Sequence, residues 1–229
     1  LVFCSSDKCY RNNEWIWGYR ETDLLGGKDP YSASKSAAEI IFNSFCKTYF
    51  INNKFNALGS VRAGNVIGGG DFKKHRIIPD IIKSITNKKN LTLRNPKSTR
   101  PWQHVLDPLY GYLLLGEALL KRKINVEIPS WNFGPNIDKT SYTVEYLASN
   151  LIKRWGTNTK IITLKNKNLD EAGLLLLNNE KAKIELGWTP RLSLDDTIQF
   201  TYEWYFEYFN KKSNVIDLTN RQINSFLTK

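Results

Sequence analysis

The 229-residue chain is 41% hydrophobic and 24% charged, an ordinary globular balance with room for one or two domains. Its formal charge of +11 is scattered over lysine pairs such as Lys73–Lys74 and Lys88–Lys89. With no basic arm, zinc-finger spacing or RNA-binding aromatic motif, that speaks against nucleic acid as a main partner and fits a small polyanionic substrate.

In chain order, residues 1–5 read as a short buried strand and residues 10–29 as a long loop punctuated by Gly, Asn and Asp. Such a long loop inside a compact domain is usually functional. Residues 30–50, PYSASKSAAEIIFNSFCKTYF, predict a helix with Pro30 near its start. FNALGSVRAGNVIGGGD predicts a strand entering a glycine-rich turn, whose GGG at 68–70 reads as a backbone hinge. RIIPDIIKSITNKK is a short helix and NLTLRN a strand. HVLDPLYGYLLLGEALLKRK is an amphipathic helix with Leu109, Tyr112, Leu113, Gly116, Leu119 and Leu120 on one face. SWNFGP is a strand, followed by a helix at 143–154, a strand at 160–164, a short helix from about 179 and a last helix near 194–210. The alternation predicts an α/β fold, a parallel doubly wound sheet with inserted pieces.

Cys4, Cys9 and Cys46 form no CxxC pair, so the expectation is three small buried hydrophobes in a reducing, cytoplasmic setting. No apolar run reaches the length of a membrane span. His75 and His104, the two histidines, make a metal site improbable, and His104 reads as a packed or capping residue. The chain has no methionine and opens as a strand already under way, which leads to the expectation of a C-terminal portion of a longer protein.

Tyr31 and Lys35 are four residues apart and so share a helical face. A Tyr titrates near ~10, and a nearby cation favours its phenolate, which makes the pair usable for moving an alcohol proton. Alone, the spacing also suits a surface Lys beside a packed Tyr. SSDK at 5–8 adds a Ser at a strand end together with Asp7 and Lys8. Strand ends in α/β proteins are where ligands sit. An alcohol oxidation needs only Ser, Tyr and Lys, so two further titratable groups make sense if a second proton transfer occurs; otherwise Asp7 is a turn or cap residue and Lys8 a solvated one.

SSDKCYRNNEWIWGYRETDLLGGKDPYSASKSAAE, VRAGNVIGGGDFKKHRIIPDII and LRNPKSTRPWQHVLDPLYGYLLL together resemble CDP-glucose 4,6-dehydratases, members of the extended short-chain dehydrogenase/reductases. The resemblance runs to about residue 210, and its long WIWGYRE and RPWQHV stretches are more specific than YxxxK. It implies a Rossmann domain binding NAD and a smaller domain binding the nucleotide sugar. The glycine-rich phosphate loop of that family has no counterpart in this sequence. The implied division is 1–66 with 101–135 for the Rossmann part and 67–100 with 136–229 for the nucleotide-sugar part. A homo-oligomer at full length and a place in deoxysugar or O-antigen precursor synthesis are further implications.

The resemblance also implies roles. Tyr31 is the base at the sugar 4-hydroxyl, Ser6 binds the 4-oxygen, Asp7 is the acid at the 6-hydroxyl, and Lys35 tunes Tyr31 and holds the nicotinamide ribose. Ala63 falls on the cofactor side. Lys8 stands where the dTDP-glucose dehydratases have Glu; it would act as the C5 base if its ammonium were destabilised, or else as a charge beside the enolate. Asn65 would contact the diphosphate or sugar and Arg100 would bind the diphosphate, helped by Arg76 and by Arg94, which reads equally as a strand-edge charge. Glu171 falls where the family carries a His-Glu-Ala motif, with Asp170 replacing the His. Trp15 and Trp17 would wall the sugar pocket or pack in the core. The remaining alternatives are a related nucleotide-sugar epimerase, a dTDP- or GDP-sugar dehydratase, and a basic RNA-binding or scaffold protein that has lost catalysis. The Asp-Lys pair discriminates against epimerases.

Overall fold

The computed structural model describes residues 1–50, 57–121, 129–136, 142–164, 174–210 and 214–229. In chain order these are β1 (Val2–Cys4), a 3-10 turn (Asp7–Cys9), α1 (Pro30–Phe45), β2 (Gly59–Ala63), β3 (Val66–Ile67) and α2 (Ile77–Thr86). Then come β4 (Leu91–Leu93), β5 (Thr99–Arg100), β6 (Gln103–His104), α3 (Leu106–Leu120), β7 (Ser130–Phe133) and β8 (Tyr142–Thr143). The chain continues through α4 (Val144–Trp155), β9 (Ile161–Thr163), α5 (Glu180–Leu186), α6 (Leu194–Asn210) and α7 (Val215–Leu227). The predicted elements are present to within a few residues. α7 is an addition, and Asn214 starts it by accepting from the Ile216 N–H.

The chain divides into two compact units. Leu1–Asn65, Asp107–Asp138 and Leu174–Pro190 form the first; Val66–Leu106, Lys139–Gly173 and Arg191–Lys229 form the second. Against the expected boundaries, residues 101–106 fall in the second unit and 174–190 in the first. The reason is pairing and packing. β6 lies parallel to β3, while Trp188 meets Phe133 edge-on at 4.9 Å and donates its indole N–H to the Asp107 carbonyl at 3.0 Å.

In the first unit β1, β2 and β7 form a parallel sheet in the order β1-β2-β7. Successive side chains of a strand point to opposite faces. Ser60 and Arg62 accordingly meet Glu39 of α1, and Gly59 and Val61 meet Leu115 and Leu119 of α3. Helices on both faces make the sheet doubly wound, as expected.

The buried side of α3 is only partly the expected one: Leu119 is buried and Tyr112 packs against the core. Asp107, Pro108, Gly111, Leu115 and Leu119 are buried, whereas Leu109, Leu113 and Leu120 are exposed. The helix is apolar nearly all round, so periodicity could not choose a face. The rings opposite favour it: a Cβ on Gly111 would stand 2.3 Å from Phe133, so the glycine lets this face approach the sheet closely.

The second unit is built on Ile78, Ile81, Ile82 and Ile85 of α2, Leu147, Leu151 and Ile152 of α4, and Ile198 and Tyr205 of α6. β4 pairs with β9 in parallel and β5 with β8 antiparallel. Thr143 caps the start of α4, and Gly156 closes it in the left-handed conformation at φ 72°. The GGG turn packs against α6. Gly69 lies flat against the Trp204 ring, where a Cβ would come within 2.0 Å, and the Tyr205 hydroxyl binds the backbone of Asp71 on both sides.

Cys9 and Cys46 are buried and Cys4 is exposed, which corrects the expectation of three buried thiols. Cys4 is the last residue of β1, where the strand leaves the sheet.

Candidate functional site

β1 hands over to the SSDK turn through Ser5, whose N–H binds the Val61 carbonyl at 2.8 Å. Ser6 then caps the 3-10 turn: its Oγ accepts from the Lys8 N–H at 3.2 Å and donates to Asp7 Oδ1 at 3.0 Å. Asp7 is 2% exposed and lies against Gly64, just beyond β2. Lys8 is half-buried, with Nζ 3.7 Å from Asp7 Oδ2.

α1 begins where it does because Asp29 accepts from the Tyr31 and Ser32 N–H groups, while Pro30 has no N–H to leave unsatisfied. The Ser32 hydroxyl, donating to Asp29 Oδ2 at 2.6 Å, together with these N–H groups holds its carboxyl below the usual range. The helix sets Tyr31, 56% exposed, one turn from Lys35, whose Nζ is 5.7 Å from the centre of the Tyr31 ring. The next residue, Ser36, donates to the Cys9 carbonyl at 2.7 Å. Gly27 lies directly on the α1 backbone, where a Cβ would be 2.4 Å from the Ala33 nitrogen. The Ser6–Lys8 turn and the Tyr31–Lys35 helix are therefore fastened side by side.

A buried polar network fixes α1 from beneath. Arg62 of β2 donates to Glu39 at 2.7 Å, to Ser130 Oγ at 3.1 Å and to the Tyr10 hydroxyl at 2.7 Å; Tyr10 donates to Asn132 at 2.8 Å. Asn132 in turn donates to the Tyr19 carbonyl at 2.8 Å. The long loop at 10–29 is thus tied to the sheet by side chains. Burial pushes the Tyr10 phenol well above its ordinary range, so it stays a neutral donor and acceptor. Sequence reasoning passed over Glu39, Arg62 and Ser36. Two signals marked them: Glu39 continues the 31-35-39 stripe, and an Arg in the middle of the apolar strand GSVRA needs a buried partner.

Trp15 packs beside Tyr19, with ring centres 5.1 Å apart, and Trp17 is largely exposed, so one of the two serves the core. Ala63 ends β2, half-buried. Asn65 adopts the left-handed conformation at φ 49°, and its Nδ2, enclosed, has no hydrogen-bond partner among the described residues. A buried amide donor left open suits a polar ligand. Tyr31, exposed, and Lys35, half-buried, present a phenol and a three-donor cation on one helical stripe, groups able to hydrogen-bond the hydroxyls of a ribose.

Ser6, Asp7, Lys8, Tyr31, Lys35, Ala63 and Asn65 thus belong to the first unit, and Arg76, Arg94 and Arg100 to the second. Arg76 pairs with Asp71 at 3.1 Å on the surface just before α2. Arg94 is exposed just past β4. Arg100 in β5 donates to the Thr99 carbonyl at 3.0 Å. Glu171 and Asp170 lie outside the described residues. Among the described residues there is no group of three His, Cys, Asp or Glu able to hold a metal ion, and no helix long and apolar enough to cross a membrane.

A family model described as GDP-mannose 4,6 dehydratase matches residues 1–201. A CDP-glucose 4,6-dehydratase of Salmonella typhimurium is 39% identical over 232 residues, covering 100% of this chain and 64% of the relative. The human dTDP-D-glucose 4,6-dehydratase is 25% identical, covering 94% of this chain and 59% of its own length. The chain therefore spans somewhat under two thirds of these relatives. Among solved structures, a UDP-glucuronic acid 4-epimerase from Bacillus cereus, in complex with UDP-glucuronic acid and NAD, matches at TM-score 0.75 and 21% identity, over 90% of this chain and 61% of that one. A dTDP-glucose 4,6-dehydratase from Bacillus anthracis in complex with NAD matches at TM-score 0.71 and 23% identity, over 90% and 61%. At these identities the two structures establish the fold, a Rossmann-type α/β architecture.

Proposed function

The chain belongs to the GDP-mannose 4,6 dehydratase family, and on that premise we propose that the intact protein is an NAD-dependent nucleotide-sugar 4,6-dehydratase acting on CDP-glucose. The observation that carries this reading is the fastening of the Asp7–Lys8 turn to the Tyr31–Lys35 helix through Ser36 and Cys9. It groups one pair suited to alcohol oxidation with a second pair suited to water loss. CDP-glucose is favoured by the 39% likeness to the Salmonella enzyme, and NAD by the two NAD complexes that share the fold.

Bound NAD, held in part by Tyr31 and Lys35, would supply the hydride exchange between sugar C4 and C6. Tyr31 accepts the 4-hydroxyl proton, with the Lys35 cation stabilising the phenolate; the Ser6 hydroxyl, which donates to Asp7 in the free protein, turns to the 4-oxygen once the sugar is bound. The 4-ketone acidifies C5–H, because the carbanion is delocalised as an enolate. Lys8 takes that proton while Asp7, protonated, gives its own to the departing 6-hydroxyl. The 3.7 Å Asp7–Lys8 separation supports such a pair, since one tautomer of it is the ion pair left after elimination. C5 then recovers a proton from Lys8, and the proton taken from O4 replaces, through solvent, the one lost in water. On this reading the first unit serves the cofactor and the reacting sugar, with Asn65 a polar contact to the substrate, and Arg100 of the second unit is a diphosphate contact.

The test separates the two halves of the reaction in the intact protein. Tyr31→Phe should abolish formation of bound reduced nicotinamide on adding CDP-glucose. Asp7→Asn should leave that first oxidation in place and block water loss, because an amide cannot protonate a leaving hydroxyl. Equal loss of hydride transfer in both variants would remove the division of roles. Faster turnover of dTDP-glucose or GDP-mannose than of CDP-glucose would overturn the substrate assignment.

A further inference from the structure

Gly64 follows β2 directly and packs on Asp7. A Cβ placed on it would lie 2.2 Å from Asp7 Oδ2, 2.4 Å from Cγ and 3.0 Å from Cβ. Carbon atoms in ordinary contact stay roughly 3.5–4.0 Å apart, so no side chain fits while the carboxylate keeps its place. The glycine is not required by the backbone: its φ lies outside the left-handed region, where Gly70, Gly156 and Gly187 are found. What position 64 supplies is room. Of the other tightly packed glycines, Gly69, Gly59 and Gly111 face rings, Gly68 faces Val105 and Gly27 faces the α1 backbone; among these, Gly64 is the one whose missing Cβ would strike a carboxylate.

Asp7 cannot yield without losing its setting. It is 2% exposed, receives the Ser6 hydroxyl on Oδ1 at 3.0 Å and holds Lys8 Nζ 3.7 Å from Oδ2. A methyl at position 64 displaces Oδ2 and Cγ and breaks that alignment.

We infer that Gly64 is a positioning residue for the acid step: the space of its absent side chain is where the Asp7 carboxylate stands, and filling it uncouples water loss from the first oxidation. This rests on Asp7 being the acid, as in the reading above. A proton donor contributes about 10²–10⁴-fold when correctly placed, so misplacing it has a measurable signature.

The intact protein carrying Gly64→Ala is mixed with NAD and CDP-glucose. Bound reduced nicotinamide should form as in the unaltered protein, while release of the 4-keto-6-deoxy product slows by at least about 100-fold. Product formation at the original rate, or loss of both steps together, would overturn the inference. Asp7→Asn is run beside it. If Asp7→Asn blocks water loss and Gly64→Ala does not, the Gly64 inference fails alone; if Asp7→Asn turns over normally, the acid assignment fails and takes the inference with it. A second measurement does not depend on turnover. Urea unfolding midpoints of Gly64→Ala, Asp7→Ala and the double variant should be non-additive, the added methyl being better tolerated once the carboxylate is gone. Additive losses would show that the two residues do not compete for the same space, and would equally sink the inference.

Discussion

Glu39 of α1 and Arg62 of β2 form an ion pair at 2.7 Å, with both side chains sealed from solvent at 0% and 1% exposure. Tyr31, Lys35 and Glu39 rise along one helical stripe, open to solvent at its start and buried at its end. The pair therefore fixes the tilt and rotation of the helix that presents the phenol. Breaking a buried pair by removing one partner costs about 3–5 kcal/mol, because the remaining charge is left uncompensated. Arg62→Met should lower the unfolding free energy of the intact protein by that order in urea titrations. Glu39→Leu with Arg62→Met should recover part of the loss, and a double variant no more stable than Arg62→Met alone would deny the pairing its structural weight.

His104 gives the second unit an acid-sensitive element. Its Nδ1 accepts weakly from the Leu106 N–H at 3.4 Å, its ring meets Phe200 edge-on at 5.5 Å, and burial pushes it down to about 4. Its folded value lies below the unfolded value of about 6.5, so between the two the unfolded chain binds more protons. The neutral imidazole's contribution is complete above about pH 6.5 and is lost as the pH falls towards 4, about 3 kcal/mol in all. Unfolding midpoints of the unaltered protein should therefore drop more steeply from pH 7 to 4.5 than those of His104→Gln. Parallel profiles would exclude His104 as the titrating group.

Arg100 tests the assignment of the diphosphate to the second unit. Arg100→Lys keeps the charge but loses the planar fork that matches two phosphate oxygens. The Michaelis constant for the nucleotide sugar should rise about tenfold or more, a loss in the range of one charge-assisted hydrogen bond. NAD affinity, measured by calorimetry on the intact protein, should hardly move. An unchanged Michaelis constant would take Arg100 off the substrate.

Local features were legible because they depend on near neighbours in the chain. Pro30 after Asp29 marked the start of α1, the YxxxK spacing placed Tyr31 and Lys35 on one face, and the alternation of strands and helices indicated a doubly wound sheet. The long motifs carried the family. What stayed hidden was the choice between equivalent local options. α3 is apolar nearly all round, and of its expected face Leu109, Leu113 and Leu120 are turned outward while Leu119 is buried.

By itself the sequence determined which side chains are available for chemistry and at what spacing, since helical and strand periods follow from backbone geometry alone. Only the tertiary structure decided what stands against what. Gly111 lets α3 approach the sheet closely where Phe133 leaves no room for a Cβ, Gly64 makes a place for Asp7, and Arg62 finds Glu39 twenty-three residues away. These are relations of volume and of buried charge between distant segments. Close packing and the cost of an unpaired buried ion enforce them once the chain has closed on itself, and no local pattern encodes them.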